Sequence, residues 1–166
     1  SELKLSLNHD NYNLTTGLQS YENLQLNNND RYQYILPYYD FNKILSLNLM
    51  NGSLNFNSNG SNDLNDTNKL KSRISNSLSY SSLDFFSKYV FKNNFNINLK
   101  NFNFIGKNIS EFKSSPQVEF SSLFELKSII PMRKEDDKYI NFLTPKISLR
   151  INPGDMKDNN TNERTI

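Results

Sequence analysis

The chain alternates apolar and polar positions with a period of two from its first residues. Leu3, Leu5 and Leu7 alternate with Glu2, Lys4, Ser6 and Asn8, and Asn8-His9-Asp10-Asn11 then supplies turn chemistry. The even positions from Tyr12 to Leu26 repeat the pattern through Leu14, Thr16, Leu18, Ser20, Glu22 and Leu24, with Gly17 inside the run as a candidate bulge. Alternate side chains of an extended chain point to opposite sides, so each run predicts a strand with one apolar and one polar face. After a turn at Asn27-Asn28-Asn29-Asp30, the next strand is carried by Tyr32, Tyr34, Leu36 and Tyr38. Pro37 cannot donate a ladder hydrogen bond, which predicts that pairing ends or bulges there.

Leu45, Leu47 and Leu49 alternate next, and Leu54 and Phe56 continue in the opposite parity after Asn51-Gly52. From Asn57 to Asn68 both parities are mostly polar, which reads as a long loop. Ile74, Leu78 and Tyr80 share one face of a further strand, followed by a less regular aromatic turn from Phe85 to Tyr89. Phe95, Ile97 and Leu99 alternate with Asn94, Asn96, Asn98 and Lys100, and residues 106–115 read as loop. Pro116 opens a strand through Val118, Phe120, Phe124, Leu126 and Ile130, and Pro131 to Lys138 reads as a charged turn. Pro145 opens the last strand, where Ile147, Leu149 and Ile151 alternate with Ser148, Arg150 and Asn152 before Pro153-Gly154 closes it.

The sum is about eight strands of roughly 8–15 residues joined by turns, an all-β antiparallel meander. No segment of helical length keeps a 3.6-residue apolar period. The Tyr12–Leu26 run is long for a soluble strand and ordinary for a barrel strand that continues beyond a bilayer. The pattern begins abruptly and gives way to polar sequence after Asp155, so residues 1–166 are expected to be a fragment of a larger β domain.

Composition changes this picture little. A length of 166 residues is enough for one domain with a sizeable core. Nineteen Lys and Arg intermix with 17 Asp and Glu, so no basic block offers a footprint for nucleic acid. The absence of cysteine removes disulfides and thiol chemistry. Ser1-Glu2-Leu3-Lys4 lacks the basic start and apolar core of a signal peptide. No apolar run reaches the roughly 20 residues of a membrane helix, but a barrel needs only every second residue to be apolar.

Candidate chemistry is sparse. His9, the one histidine, sits in an Asn/Asp turn with no visible partner for acid–base work. Asn55-Phe56-Asn57-Ser58-Asn59-Gly60 with Asp66 imitates the spacing of a calcium loop, but it lacks the leading Asp, the closing Glu and helical flanks. The 29 asparagines make such an imitation easy, and they equally account for acceptor-type sequons at Asn13, Asn51, Asn59, Asn65, Asn108 and Asn159. The sequence therefore predicts no catalytic, cofactor-binding or metal-ligating residue, no cofactor, and no enzymatic activity. Aromatic residues cluster at Tyr32, Tyr34, Tyr38 and Tyr39 and again at Phe85, Phe86, Tyr89 and Phe91. These fit either the core of a soluble sandwich or the interfacial girdle of a membrane barrel.

Three blocks carry a family resemblance. They are Gln19-Ser20-Tyr21-Glu22-Asn23-Leu24-Gln25 with Arg31-Tyr32-Gln33-Tyr34-Ile35-Leu36-Pro37, then Ser115-Pro116-Gln117-Val118-Glu119, then Leu143-Thr144-Pro145-Lys146-Ile147-Ser148-Leu149-Arg150. In order and spacing the chain resembles the C-terminal barrel domain of the lipopolysaccharide-assembly protein LptD, the organic-solvent-tolerance family. The resemblance implies part of a large outer-membrane β-barrel of a Gram-negative cell that inserts lipopolysaccharide into the outer leaflet. It also implies a plug lipoprotein, periplasmic lipopolysaccharide-bridge proteins and membrane lipids as partners, and no nucleic acid. The family's periplasmic jelly-roll domain and remaining strands have no counterpart in these residues. Two other readings of the same alternation stay open: a porin-like barrel, and a soluble Asn-rich β-sandwich used for binding.

Overall fold

The alternating runs assemble into one antiparallel sheet in which nearly every strand pairs with its neighbour in sequence. The computed structural model describes residues 1–26, 29–47, 51–87, 91–110 and 112–154. In chain order the strands are β1 (Glu2–His9), β2 (Tyr12–Glu22), β3 (Tyr32–Leu47), β4 (Gly52–Asn65), β5 (Lys69–Ser82), β6 (Phe85–Phe86), β7 (Lys92–Lys107), β8 (Gln117–Ile129), β9 (Met132–Glu135), β10 (Ile140–Leu143) and β11 (Lys146–Ile151). The main sheet runs β1-β2-β3-β4-β5-β7-β8-β11, β6 pairs with β7, and β9 and β10 form a separate hairpin. The protein is thus all-β, an antiparallel meander of about eight long strands, as the alternation predicts.

Cross-strand partners share a face, so the register sorts the side chains. Leu3, Leu5 and Leu7 lie opposite Leu18, Thr16 and Leu14, while Glu2 and Lys4 lie opposite Gln19 and Gly17 on the other side. At the far edge Ile147, Leu149 and Ile151 lie opposite Ser128, Leu126 and Phe124, with Ser148 and Arg150 on the polar side. Both edge strands therefore present an apolar triplet to the same face of the sheet.

One irregularity re-aims part of this pattern. The β2–β3 register shifts between Gly17 and Gln19, and the β3–β4 register shifts between Ile35 and Tyr38, around a cis Leu36-Pro37 bond. The expected bulge at Pro37 is real, and it reverses the parity of β3. Tyr32 and Tyr34 keep the apolar face with Tyr39 and Phe41, whereas Tyr38 turns to the polar face, where its hydroxyl donates to Glu2 Oε1 at 2.8 Å. Grouping Tyr38 with Tyr32 and Tyr34 by parity alone is corrected by this extra residue.

Several expected loops are strand. Residues 57–65 belong to β4, and the turn shrinks to 66–68, where Asp66 and Thr67 take φ of 49° and 57°. Periodicity misses this half of β4 because Leu64 is its one large apolar residue; ladders to β3 and β5 hold it instead. Likewise β7 continues to Lys107, and the expected charged turn at residues 131–138 holds β9, which pairs with β10 just beyond it. Leu24 and Leu26 fall beyond β2 and are exposed. Leu49, Tyr89 and the chain after Gly154 lie outside the described residues.

The sheet is a single layer. The accessible surface of the whole chain is 12680 Å², about half as much again as the roughly 8,500 Å² expected for a compact monomer of this mass. Tyr80, at 7% exposure, is the only buried hydrophobic side chain among the described residues, while Leu3, Leu5, Leu7, Ile147, Leu149 and Ile151 stand about half exposed or more. A β-sandwich would place a second sheet about 10 Å from this face; among the described residues the only other sheet is the two-stranded β9–β10 hairpin.

Close approach across the sheet fixes Gly17, where an added Cβ would strike the Leu3 carbonyl oxygen and come within 2.7 Å of the Tyr38 hydroxyl. Gly17→Ala is expected to loosen β1 and to cost about 1–3 kcal/mol. Urea unfolding with hydrogen exchange at β1 amides measures it, and Gly154→Ala, with its nearest neighbour at 3.7 Å, serves as the neutral control.

Candidate functional site

The two faces of the sheet differ in chemistry over most of their area, although Phe102 and Phe104 of β7, packed with Phe112, put rings on the otherwise polar face. On the apolar face, rings pack from strand to strand. Tyr12 meets Phe41 at 6.3 Å between centroids, Phe41 meets Phe56 at 6.1 Å, Tyr80 meets Phe95 at 5.4 Å and Phe95 meets Phe124 at 6.4 Å. These contacts form two groups, one from β2 to β4 and one from β5 to β8, both towards the end of the sheet that carries the β1–β2 turn.

Further along β4, β5 and β7 the same face becomes polar. Ser58 Oγ lies 3.2 Å from the Tyr39 hydroxyl and donates to Asn76 Oδ1 at 2.7 Å. Asn76 Nδ2 donates to Asn101 Oδ1 at 3.3 Å, and Asn103 Nδ2 donates to the same oxygen at 2.5 Å. Ser72 Oγ donates to Asn62 Oδ1 one row beyond. The cluster carries no formal charge and satisfies much of its hydrogen-bonding capacity internally, which keeps its partial burial inexpensive.

On the polar face, a shallow groove of about 290 Å³ is lined by Ser53, Asn55, Ser79, Ser81, Asn96 and Asn98, with Glu125 at its side. Glu125 gathers four partners from three strands. Arg150 Nε approaches Oε1 at 2.6 Å and Ser148 Oγ donates to it at 3.0 Å, while Lys127 Nζ lies 2.9 Å and Asn96 Nδ2 3.5 Å from Oε2. The Glu125 side chain is only 9% exposed, while Arg150 and Lys127 are 67% and 44% exposed, so water reaches the pairs from the side of the cations. They tie edge strand β11 to β8 and leave the carboxylate fully engaged. A residue so committed positions the edge strand and is poorly placed to act as an acid or base.

The sequence-level candidates behave as expected of turn and strand residues. His9 stacks on Tyr12 across the first hairpin at 5.0 Å. The calcium-loop imitation lies along β4, where successive residues point to opposite faces and cannot wrap one ion. Among the described residues no group of three or more His, Asp or Glu could hold a metal. No helix there is long and apolar enough to cross a membrane, which says nothing of a β-barrel. Sequence reasoning missed the Asn/Ser cluster and Glu125. The first had a signal, since Asn101 and Asn103 interrupt the parity of Phe95, Ile97 and Leu99. The second had none, because Glu125, Ser148 and Arg150 meet only through the β8–β11 register.

Comparison with protein-family models, with curated proteins and with solved structures finds no match to this chain.

Glu125→Gln is expected to weaken the hold on Arg150 and Lys127 and to speed hydrogen exchange along Lys146–Ile151. Exchange in β1, seven strands away in the sheet, should stay unchanged.

Proposed function

We propose that this chain forms part of the wall of an outer-membrane β-barrel that passes lipopolysaccharide to the outer leaflet. The observation that carries the barrel-wall reading is the one-layer antiparallel meander, mostly apolar on one exposed face and mostly polar on the other, with the outer edges of β1 and β11 unpaired among the described residues. Such a sheet needs hydrocarbon against one face, water against the other, and further strands at each edge, and a membrane barrel supplies all three. Strands of 11–16 residues suit it, being long enough to cross a bilayer at a tilt and to extend beyond it. The soluble sandwich is disfavoured by the absence of a covering sheet among the described residues.

The choice of lipopolysaccharide over other cargo rests on the resemblance of three sequence blocks, in order and spacing, to the LptD family. In that reading the polar face, with its Ser/Asn groove, lines a wet lumen that accommodates a plug lipoprotein and the saccharide of the cargo. Periplasmic bridge proteins deliver the cargo from below. The transport involves no covalent chemistry, and the chain needs no cofactor for it.

Two measurements test this. Ile97→Lys, on the apolar face, should cost about 2–4 kcal/mol in folding into lipid vesicles if it lies near the bilayer midplane, while Asn98→Lys, on the polar face, should cost little. Depleting the protein from its host should stop newly made lipopolysaccharide from reaching the cell surface. Unchanged surface delivery would remove the lipopolysaccharide assignment and leave a barrel with another cargo.

A further inference from the structure

The apolar face is not evenly apolar, and the register shows how its apolar part is laid out. Leu5 pairs with Thr16, and from there the ladder continues through Tyr39, Gly60, Ile74, Asn103 and Val118. A belt following this row would be interrupted by glycine, threonine and asparagine. A second path stays apolar throughout. It takes direct partners at Leu14–Phe41, Phe56–Leu78 and Ile97–Phe124. Between those pairs it steps two residues, always towards the end of the sheet that carries the β1–β2 turn. The steps run from Leu5 to Leu14, Phe41 to Phe56, Leu78 to Ile97 and Phe124 to Leu149, so the path ends on the middle residue of the β11 triplet.

The slope of this path can be compared with a membrane. Leu149 pairs with Leu126, and the ladder row from Leu5 reaches β8 at Val118, eight residues away, after crossing from β1 to β8. Eight residues at about 3.3 Å each, against seven strand spacings of about 4.8 Å, make an angle of about 38°. Strands of membrane barrels tilt by roughly 35–45°. The hydrogen-bonded polar residues all lie on one side of the path, Ser58 and Asn76 two residues from it and Asn101 four. Asn62, Ser72 and Asn103 each lie six residues from it, measured from Phe56, Leu78 and Ile97 on their own strands. At that tilt, six residues correspond to about 16 Å along the bilayer normal, close to half of a hydrocarbon layer about 30 Å thick.

We infer that the apolar face is a lipid-contacting belt running obliquely across the ladder from Leu5 to Leu149. The strands cross the bilayer at about 38°, and the Asn62–Ser72–Asn103 side of the sheet stands at the level of the lipid headgroups. The inference rests on the barrel-wall reading and adds to it the direction of the membrane and a polar contact surface. There the neutral amides and hydroxyls meet headgroup oxygens and water, while the Phe56, Leu78 and Ile97 line meets acyl chains. Polar residues at Asn62, Ser72 and Asn103 fit this tilt, because their end of β4, β5 and β7 leaves the hydrocarbon while β1 and β2 are still inside it.

The test uses the full chain in phospholipid vesicles, with a fluorophore on single cysteines and nitroxide-labelled lipids as depth probes. The chain has no cysteine of its own, so each label is unambiguous. Leu5→Cys, Phe56→Cys and Leu149→Cys should be quenched alike by the deep nitroxide. Asn103→Cys and Val118→Cys, which share the ladder row of Leu5, should instead respond several-fold better to a headgroup nitroxide. Equal deep quenching of Leu5, Asn103 and Val118 would overturn the oblique belt while leaving a membrane wall. No deep quenching at any position would overturn the barrel-wall reading itself.

Discussion

A single-layer sheet cannot hide its apolar face behind a second layer, and the rest of this structure follows from that constraint. In ordinary domains a sheet buries one face against helices or another sheet. Here Leu3, Leu5 and Leu7 at one edge and Ile147, Leu149 and Ile151 at the other stay open together with the ring contacts between them. Contiguous exposed apolar surface on this scale marks an interaction surface. Cohesion within the sheet comes from the ladders themselves and from cross-strand side-chain pairs. On the polar face, Glu125 with Arg150, Lys127 and Ser148 holds the last strand, and Glu2 with Gln19 and Tyr38 holds the first.

Register turns this local chemistry into long-range order. The bulge at Leu36-Pro37 keeps Tyr32 and Tyr34 on the apolar face and sends Tyr38 across to Glu2. Without the extra residue, one half of β3 would show its rings to the wrong side. Small residues make room for rings along the same strands: Gly60 lies against the Tyr39 ring and Gly52 against Tyr80. The amide cluster from Ser58 to Asn103 has the same dependence, since its members come from β4, β5 and β7 and meet only when all three ladders are in register.

The fold was legible wherever one face was apolar. Leu3-Leu5-Leu7, Phe95-Ile97-Leu99 and Ile147-Leu149-Ile151 each announced a strand, and Pro37 announced its bulge. Legibility failed where both faces are mostly polar: residues 57–65 read as loop because Ser, Asn and Gly alternate with Asn, Ser and Asp, and period two vanishes. The short β9 was hidden by charge, since Arg133, Lys134 and Glu135 make up most of it, and β10 is only four residues of a hairpin that is exposed on both sides. The surface features were less legible than the strands. Glu125 and Arg150 are 25 residues apart, and no spacing rule joins them before the β8–β11 pairing is known. The slope of the apolar belt is of the same kind, because it exists only in the relation between one ladder and the next.

The central claim is that hydrocarbon covers the apolar face of a tilted sheet. Polarised infrared dichroism of the amide bands, with the full-length protein in oriented bilayers, measures strand tilt directly. The account predicts strands inclined about 38° to the bilayer normal. An isotropic signal, or a protein that stays in the aqueous phase, would contradict it.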